Sequence, residues 1–283
     1  MYQFQKYDGM TKNKVSFGQL KTLTIGLFVC LIVSTAYVER VFAEESNAQL
    51  SPGLQFMLGA SEHYAQVGAA FYVSELYYLD QAGKQHSLKF EDSPNSQARI
   101  GLVKLSNENA AQTLALALPA AGQLIKGLGF TLGVPRDLNH GYPLRAEKPL
   151  NDATMFWTWQ QGYKFLRLDL AGGDKRAALH LGATGCESPA PVRPPQKPCA
   201  QPNRVDFVWK FDTARELKNI WNIELNLAYL DEQFDALGDF QMCSGFYAND
   251  TFCAAWIESL GLDLERGQCQ SSCKHQQLFR MRL

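Results

Sequence analysis

Between Phe71 and Asp212 the chain is a succession of short apolar or alternating runs, each closed by Gly, Pro, Asn or Asp. The clearest are FYVSELYYL (71–79), ARIGLVKL (98–105), GLGFTLGV (127–134), MFWTWQQGYKFLRLDL (155–170), AALHLGA (177–183) and RVDFVWKF (204–211). Their β-branched and aromatic content, with turn residues at both ends, predicts strands of a sandwich or barrel. Helical periodicity comes only later. From Asn249 to Leu260, Asn249-Asp250-Thr251 offers a cap and Phe252, Ala255, Trp256 and Leu260 share one face. ELKNIWNIELNLAYL, between Ala214 and Leu237, fits either a helix or a strand followed by a turn. The expectation is a mainly β chain: a single β-sandwich-like domain with a short C-terminal helical, disulfide-stapled region.

The N-terminus carries a different signal. Lys6, Lys12, Lys14 and Lys21 precede an apolar run from Leu23 to Val38, and Val41-Phe42-Ala43 follows it. A positive flank, an apolar stretch and small residues before a cut describe a secretory signal peptide. The run is short of the ~20 residues a spanning helix needs. Residues 1–43 are therefore expected to be an export signal and 44–283 the mature domain, located in the periplasm, outside the cell or on the outer-membrane surface.

Cysteine usage agrees with export. Six of the seven cysteines lie beyond the signal: Cys186, Cys199, Cys243, Cys253, Cys269 and Cys273. An even number in an oxidising compartment predicts disulfides, and proximity suggests pairing in sequential order. The Pro-rich piece SPAPVRPPQKPCAQPN (188–203) can be neither a helix interior nor a central strand. It reads as a surface loop pinned by Cys186 and Cys199.

Charge excludes one large class. With 27 basic and 28 acidic side chains the chain lacks the basic excess of a nucleic-acid binder. No GxSxG elbow, phosphate-binding Gly loop, HExxH or CxxCH occurs, so an enzyme is not expected. Histidine is the remaining source of chemistry. His86, in DQAGKQHSLKF, reads as a solvated turn residue, and His63, in GASEHYAQVG, as a surface residue or a third metal ligand. His140 follows a strand stopped by Pro135, which puts it on a loop at a strand end, a common place for ligands. On a strand, His180 and Gly182 face one way while Leu179 and Leu181 face the other. Trp157 and Trp159, with Met155, Gln161, Tyr163 and Phe165, would line one face of one strand. That stripe is either aromatic core or a set of exposed platforms. At the C-terminus, Cys269, Cys273 and His275 could form a soft-metal site, although a disulfide is the expected state in an oxidising compartment.

Taken in order, GFTLGVPRDLNH, then PLNDATMFWTWQQGYKFLRLDL, then HLGATGC and PNRV resemble the MbnP-like, MopE-related exported copper-binding proteins of bacteria. The resemblance covers roughly Phe71 to Phe211 and continues weakly into CSGFYANDTFCAAWIESLGL. It implies a mainly β, non-enzymatic protein that holds one copper ion, Cu(I) or Cu(II), with two histidines and a kynurenine made from tryptophan. It also implies a partner, a di-haem peroxidase-like (MbnH-like) maturation enzyme that performs the oxidation, and a place at the outer membrane. Carried over by residue, the ligands become His140, His180 and either Trp157 or Trp159, with Trp159 preferred and His63 as a further ligand. Opening an indole at its 2,3 bond yields a ketone and an aryl amine, so an apolar side chain gains donor atoms. A nitrogen-rich, low-coordinate set suits copper better than Mg²⁺ or Ca²⁺. The competing expectation is an exported β-sandwich that binds carbohydrate or another ligand through Trp157, Trp159 and Tyr163.

Overall fold

The alternating runs become fifteen strands among the described residues of this computed structural model, which are 52–117, 123–190, 192–217, 220–234, 240–244, 251–269, 273 and 276–282. In chain order they are β1 (Gly53–Leu58), β2 (Gln66–Leu79), β3 (Gln85–Ser87), β4 (Lys89–Phe90), β5 (Ser96–Gln97), β6 (Ile100–Ser106), β7 (Ala111–Ala117) and β8 (Leu124–Leu132). There follow β9 (Phe156–Thr158), β10 (Gly162–Gly172), β11 (Lys175–Gly182), β12 (Val205–Glu216), β13 (Ile220–Leu225), β14 (Phe240–Ser244) and β15 (Phe279–Arg282). Helices are few: α1 (Arg136–Asn139), α2 (Leu227–Phe234) and α3 (Thr251–Ser259). The expected export signal, residues 1–43, lies outside the described residues.

Two open sheets make the sandwich. One has five strands in the order β15-β13-β1-β7-β4; the other runs β12-β8-β2-β10-β11-β14, with β3, β5, β6 and β9 attached to its flanks. Period-two alternation sends every second side chain between them. Phe56 from the smaller sheet meets Phe71 and Phe130 of the larger, with ring centroids 5.3 and 5.7 Å apart and interplanar angles of 74°. Phe279 closes on Phe207 at 5.1 Å, again edge to face. All five rings are at most 2% exposed. Burying each is worth about 1.5–3 kcal/mol before edge-to-face gains, so this cluster dominates the driving force.

The larger sheet also carries a second apolar layer on its outer face. The segment between β8 and β9 folds back over it through α1 and two single 3₁₀ turns, Pro143–Arg145 and Ala153–Met155. Val134, Leu150 and Met155 from this strap pack onto Tyr72, Leu102 and Tyr163 of the sheet. The buried phenols are satisfied by the strap's own backbone: Tyr163 donates to the Leu150 carbonyl at 2.5 Å and Tyr72 to that of Pro149 at 3.4 Å. Burial pushes the Tyr163 hydroxyl up to about 12 and that of Tyr72 higher still, so both stay protonated donors.

Three local expectations are corrected. MFWTWQQGYKFLRLDL is not one strand: the chain turns at 159–161 and pairs back on itself, Gly162 opposite Thr158 and Tyr163 opposite Phe156. Gly162 sits at φ +80, a left-handed conformation that glycine adopts freely, and so turns the chain. The ambiguous 214–237 stretch holds both alternatives in succession, β13 and then α2. Buried Asn226 separates them, accepting from the Tyr229 amide at 3.3 Å. On α3 the buried face is Phe252, Cys253, Trp256 and Ile257, with Ala255 outside; the expected cap at Asn249-Asp250 lies outside the described residues. The cysteines bond in sequential order, Cys186 to Cys199, Cys243 to Cys253 and Cys269 to Cys273. No helix among the described residues is long and apolar enough to cross a membrane.

Candidate metal centre

Register fixes the site on the outer face of the larger sheet. Leu179 and Leu181 of β11 point into the interior and are fully buried, so the residues between and after them, His180 and Gly182, point outward. Opposite, Arg167 of β10 pairs with His180 and Asp169 with Ala178. Residues facing each other across an antiparallel pair share a face. His180 Nε2 accordingly lies 3.4 Å from Asp169 Oδ1, and Asp169 also accepts from Arg167 Nε at 2.6 Å. The His180 hydrogen bond, aided by the Arg167 charge, holds the Asp169 carboxyl below the usual carboxylate range against partial burial.

His140 is positioned by a different device. Pro135 ends the approach from β8, α1 makes a single turn, and His140 caps its C-terminus. Asn139, 2% exposed, anchors the turn by accepting from the Tyr163 amide at 2.9 Å. A Cβ at Gly162 would stand 2.3 Å from the Asn139 carbonyl, so glycine there also lets the helix close on the hairpin. The His140 ring then reaches the Trp159 carbonyl, 3.2 Å from Nδ1. A carbonyl can only accept, so Nδ1 carries the proton and the Nε2 lone pair is left for another partner. Burial and the nearby Arg136 charge outweigh that hydrogen bond and keep the imidazole's pKa below its ordinary value. A neutral imidazole whose Nδ1 hydrogen sits on a backbone carbonyl is the form in which histidine ligates metals. Nε2 faces the Asn139 amide at 3.3 Å and Cys199 Sγ at 3.7 Å, at the edge of a cavity of about 170 Å³ lined also by Phe165 and Arg204.

The two tryptophans part company. Trp159 stacks flat on Tyr142, centroids 4.8 Å apart at 9°. Trp157 lies over Gly182, where a Cβ would be 2.4 Å from its ring. Gly182 is thus small because an indole occupies the space above it, two residues along the strand from His180. Asn139, next to His140, abuts β10 at Gly162, whereas His180 faces it at Arg167. At ~3.3 Å per residue those positions are about 15 Å apart along the strand, with the Trp157 ring between them.

The remaining histidines stand elsewhere. His63 is exposed, and its carbonyl packs on Gly172 at the far end of β10, ten residues or ~30 Å from Gly162. It is not brought to the other two. His86 is half-buried rather than a solvated turn residue: it stacks on Tyr78 at 4.9 Å and pairs with Asp80 at 2.7 Å. Of the C-terminal trio, Cys269 and Cys273 are bonded to each other and His275 lies outside the described residues. Among the described residues one group of three brings potential ligand atoms within 4.8 Å of one another: His140, Cys186 and Cys199.

Two neighbours escaped the sequence. Asp169 could have been found: the Gly172-Gly173-Asp174-Lys175 turn sets a hairpin register in which 169 shares a face with 180. The approach of Cys199 to His140 leaves no trace in spacing, because it depends on the strap and the Pro-rich loop meeting in space.

The class the fold defines is an open, mostly β sandwich whose larger sheet carries a strap on its outer face. The chain belongs to the MbnP family, whose model matches residues 41–237. Its structure is similar to that of MbnP from Methylosinus trichosporium, with a TM-score of 0.65 and 21% identity over 81% of this chain and 97% of that one. That likeness shows the fold. No curated protein matches the chain.

Proposed function

We propose that the protein is an exported copper-binding protein, without catalytic activity of its own, that serves copper acquisition or handling. The observation that carries the reading is the His140 imidazole, its Nδ1 hydrogen on the Trp159 carbonyl and its Nε2 at the edge of a cavity. The donor chemistry fits copper. Nitrogen donors suit it, and the positive Arg136 beside His140 favours Cu(I), the ion of lowest charge. His180, oriented by Asp169 at 3.4 Å in the carboxylate–histidine manner common behind metal ligands, sits about 15 Å further along the strand and would supply the second imidazole only once the strap closes toward β11. Trp157, on Gly182 between the two, is better placed than Trp159 to become the third donor. Its conversion to kynurenine needs an external oxidant, for which a di-haem peroxidase-like partner is the natural source. Membership of the MbnP family supports the copper-related part of this reading.

The test is copper binding by protein co-expressed with such a partner. Intact mass should show the gain of two oxygens and loss of CO, and peptide mapping should locate it at Trp157. Copper affinity should fall at least tenfold in His140→Ala and His180→Ala alike. Unmodified tryptophans together with no copper binding would remove this reading.

A further inference from the structure

The Cys186–Cys199 disulfide stands where its sulfurs and His140 would be ligands if they were thiolates. Cys199 Sγ is 3.7 Å from His140 Nε2. A tetrahedral d¹⁰ ion, with metal–sulfur bonds of ~2.3 Å and metal–nitrogen bonds of ~2.0 Å, spaces such a pair about 3.6 Å apart. The imidazole therefore already occupies its corner of the tetrahedron. Its proton is on Nδ1, and Nε2 takes a 3.3 Å hydrogen bond from the Asn139 amide, which a metal at the sulfurs would have to displace.

What makes the pair usable after reduction is the stem of its loop. Thr184 and Gln201 exchange two backbone hydrogen bonds, 2.9 and 3.1 Å, and the Ala200 amide donates to the Gly185 carbonyl at 3.1 Å. Gln160 adds a side-chain hydrogen bond to the Cys186 carbonyl at 2.7 Å. These contacts hold residues 186 and 199 together without the sulfur–sulfur bond. The intervening loop is largely exposed and Pro-rich and contributes little to the core. Opening the bond thus frees two side chains to rotate while their backbones stay in place.

We propose that Cys186, Cys199 and His140 form a second, reductively unmasked site for one soft d¹⁰ cation, Cu(I), Zn²⁺ or Cd²⁺. In the opening step a dithiol reductant attacks one sulfur. The disulfide takes up two electrons and two protons, and the reductant leaves as its own disulfide. Metal binding then displaces the two thiol protons, giving an S₂N ligand set with a fourth position for water. The proposal shares His140 with the copper reading, so the two are alternative uses of one imidazole, but it uses neither His180 nor a tryptophan.

The probe is Cd²⁺, whose thiolate charge-transfer absorption reports sulfur ligation directly. The full mature chain is treated anaerobically with limiting phosphine reductant, and alkylation mapping confirms that the 186–199 pair has opened. The reduced protein should bind one Cd²⁺ with the thiolate band, and the oxidised protein none. Cys186→Ser/Cys199→Ser should abolish the band. His140→Ala should keep it but lose about tenfold or more in affinity. His180→Ala and Trp157→Phe should bind as the parent does, which separates this site from the copper centre. An affinity unchanged in His140→Ala, a band that persists in the double serine variant, or loss of the β circular-dichroism signal when only this pair is opened would each overturn the proposal.

Discussion

The sandwich interior and the strapped outer face are both apolar layers on the same larger sheet, yet they solve different problems. Between the sheets, Phe56, Phe71, Phe130, Phe207 and Phe279 interlock with no polar atom to satisfy. Beneath the strap, apolar packing alternates with phenols, carbonyls and an Asn, and the strap itself carries His140. The first layer is built from area alone, which is insensitive to direction. The second is held by hydrogen bonds, which fix where an imidazole or indole points. A site placed on the second layer can be tuned by changes too small to threaten the first.

The most damaging way to probe that division is to empty the interior. Phe130→Ala removes a fully buried ring touching four aromatic neighbours and should cost about 3–5 kcal/mol in urea unfolding. Copper affinity of the molecules that remain folded should be unchanged. A matching loss of affinity would show that the two layers are not independent.

Next in size is overpacking of the outer face. In Gly182→Leu the new side chain starts 2.4 Å from the Trp157 ring and 2.9 Å from the Tyr163 carbonyl. Stability should fall by about 1–3 kcal/mol as the indole is displaced. Tryptophan emission should shift to the red, and the proposed oxidation by a di-haem peroxidase-like partner should be lost. Wild-type-like modification at Trp157 would separate the indole's position from its reactivity.

The two layers also differ in how far they could be read from residues alone. Interior strands were legible because Leu166, Leu168 and Leu170, or Leu179 and Leu181, repeat at period two, and burial on that face leaves no other register. His180 and its outward direction followed from the same parity. The outer face was harder. Trp157-Thr158-Trp159 continues the alternation straight through a turn, so a hairpin looked like a strand and two tryptophans looked equivalent. Gly162 was the overlooked signal, and its left-handed φ of +80 is the physical reason the chain reverses there. His140 was recognisable as a loop residue, but nothing in its neighbourhood announces the Trp159 carbonyl or Cys199. Those contacts arise from two non-consecutive loops closing over one sheet edge.

A finer cut removes a single hydrogen bond from the strap. Tyr163→Phe keeps the ring against Phe156 and Tyr72, which it meets edge on at 5.0 and 5.7 Å, but leaves the Leu150 carbonyl without its donor. The expected loss is about 0.5–1.5 kcal/mol, seen as a lower urea midpoint with an unchanged slope. Because Leu150 belongs to the strap and not to the sheet, hydrogen exchange should quicken at 143–155 and stay unaltered in β2 and β8. Faster exchange throughout the larger sheet would mean that strap and interior unfold together.

The smallest effect tests the electrostatic edge of the outer face. Asp169 has its carboxyl pKa lowered chiefly by the His180 hydrogen bond, with help from Arg167. A depressed folded-state value means that the group stabilises the fold above its unfolded pKa of ~3.9, and that this contribution is lost as pH falls through the lower folded value. Its side chain is 40% exposed, so water and salt screen the pair and the whole contribution should stay within ~1 kcal/mol. Other carboxylates titrate over the same range, so the useful quantity is the gap between wild type and Asp169→Asn. That gap should close below about pH 4, where the wild-type carboxyl itself becomes neutral. It should also shrink in high salt. A gap that widened below about pH 4 would reverse the sign and mean that Asp169 is held protonated, in which case it could not orient His180 as an anionic partner.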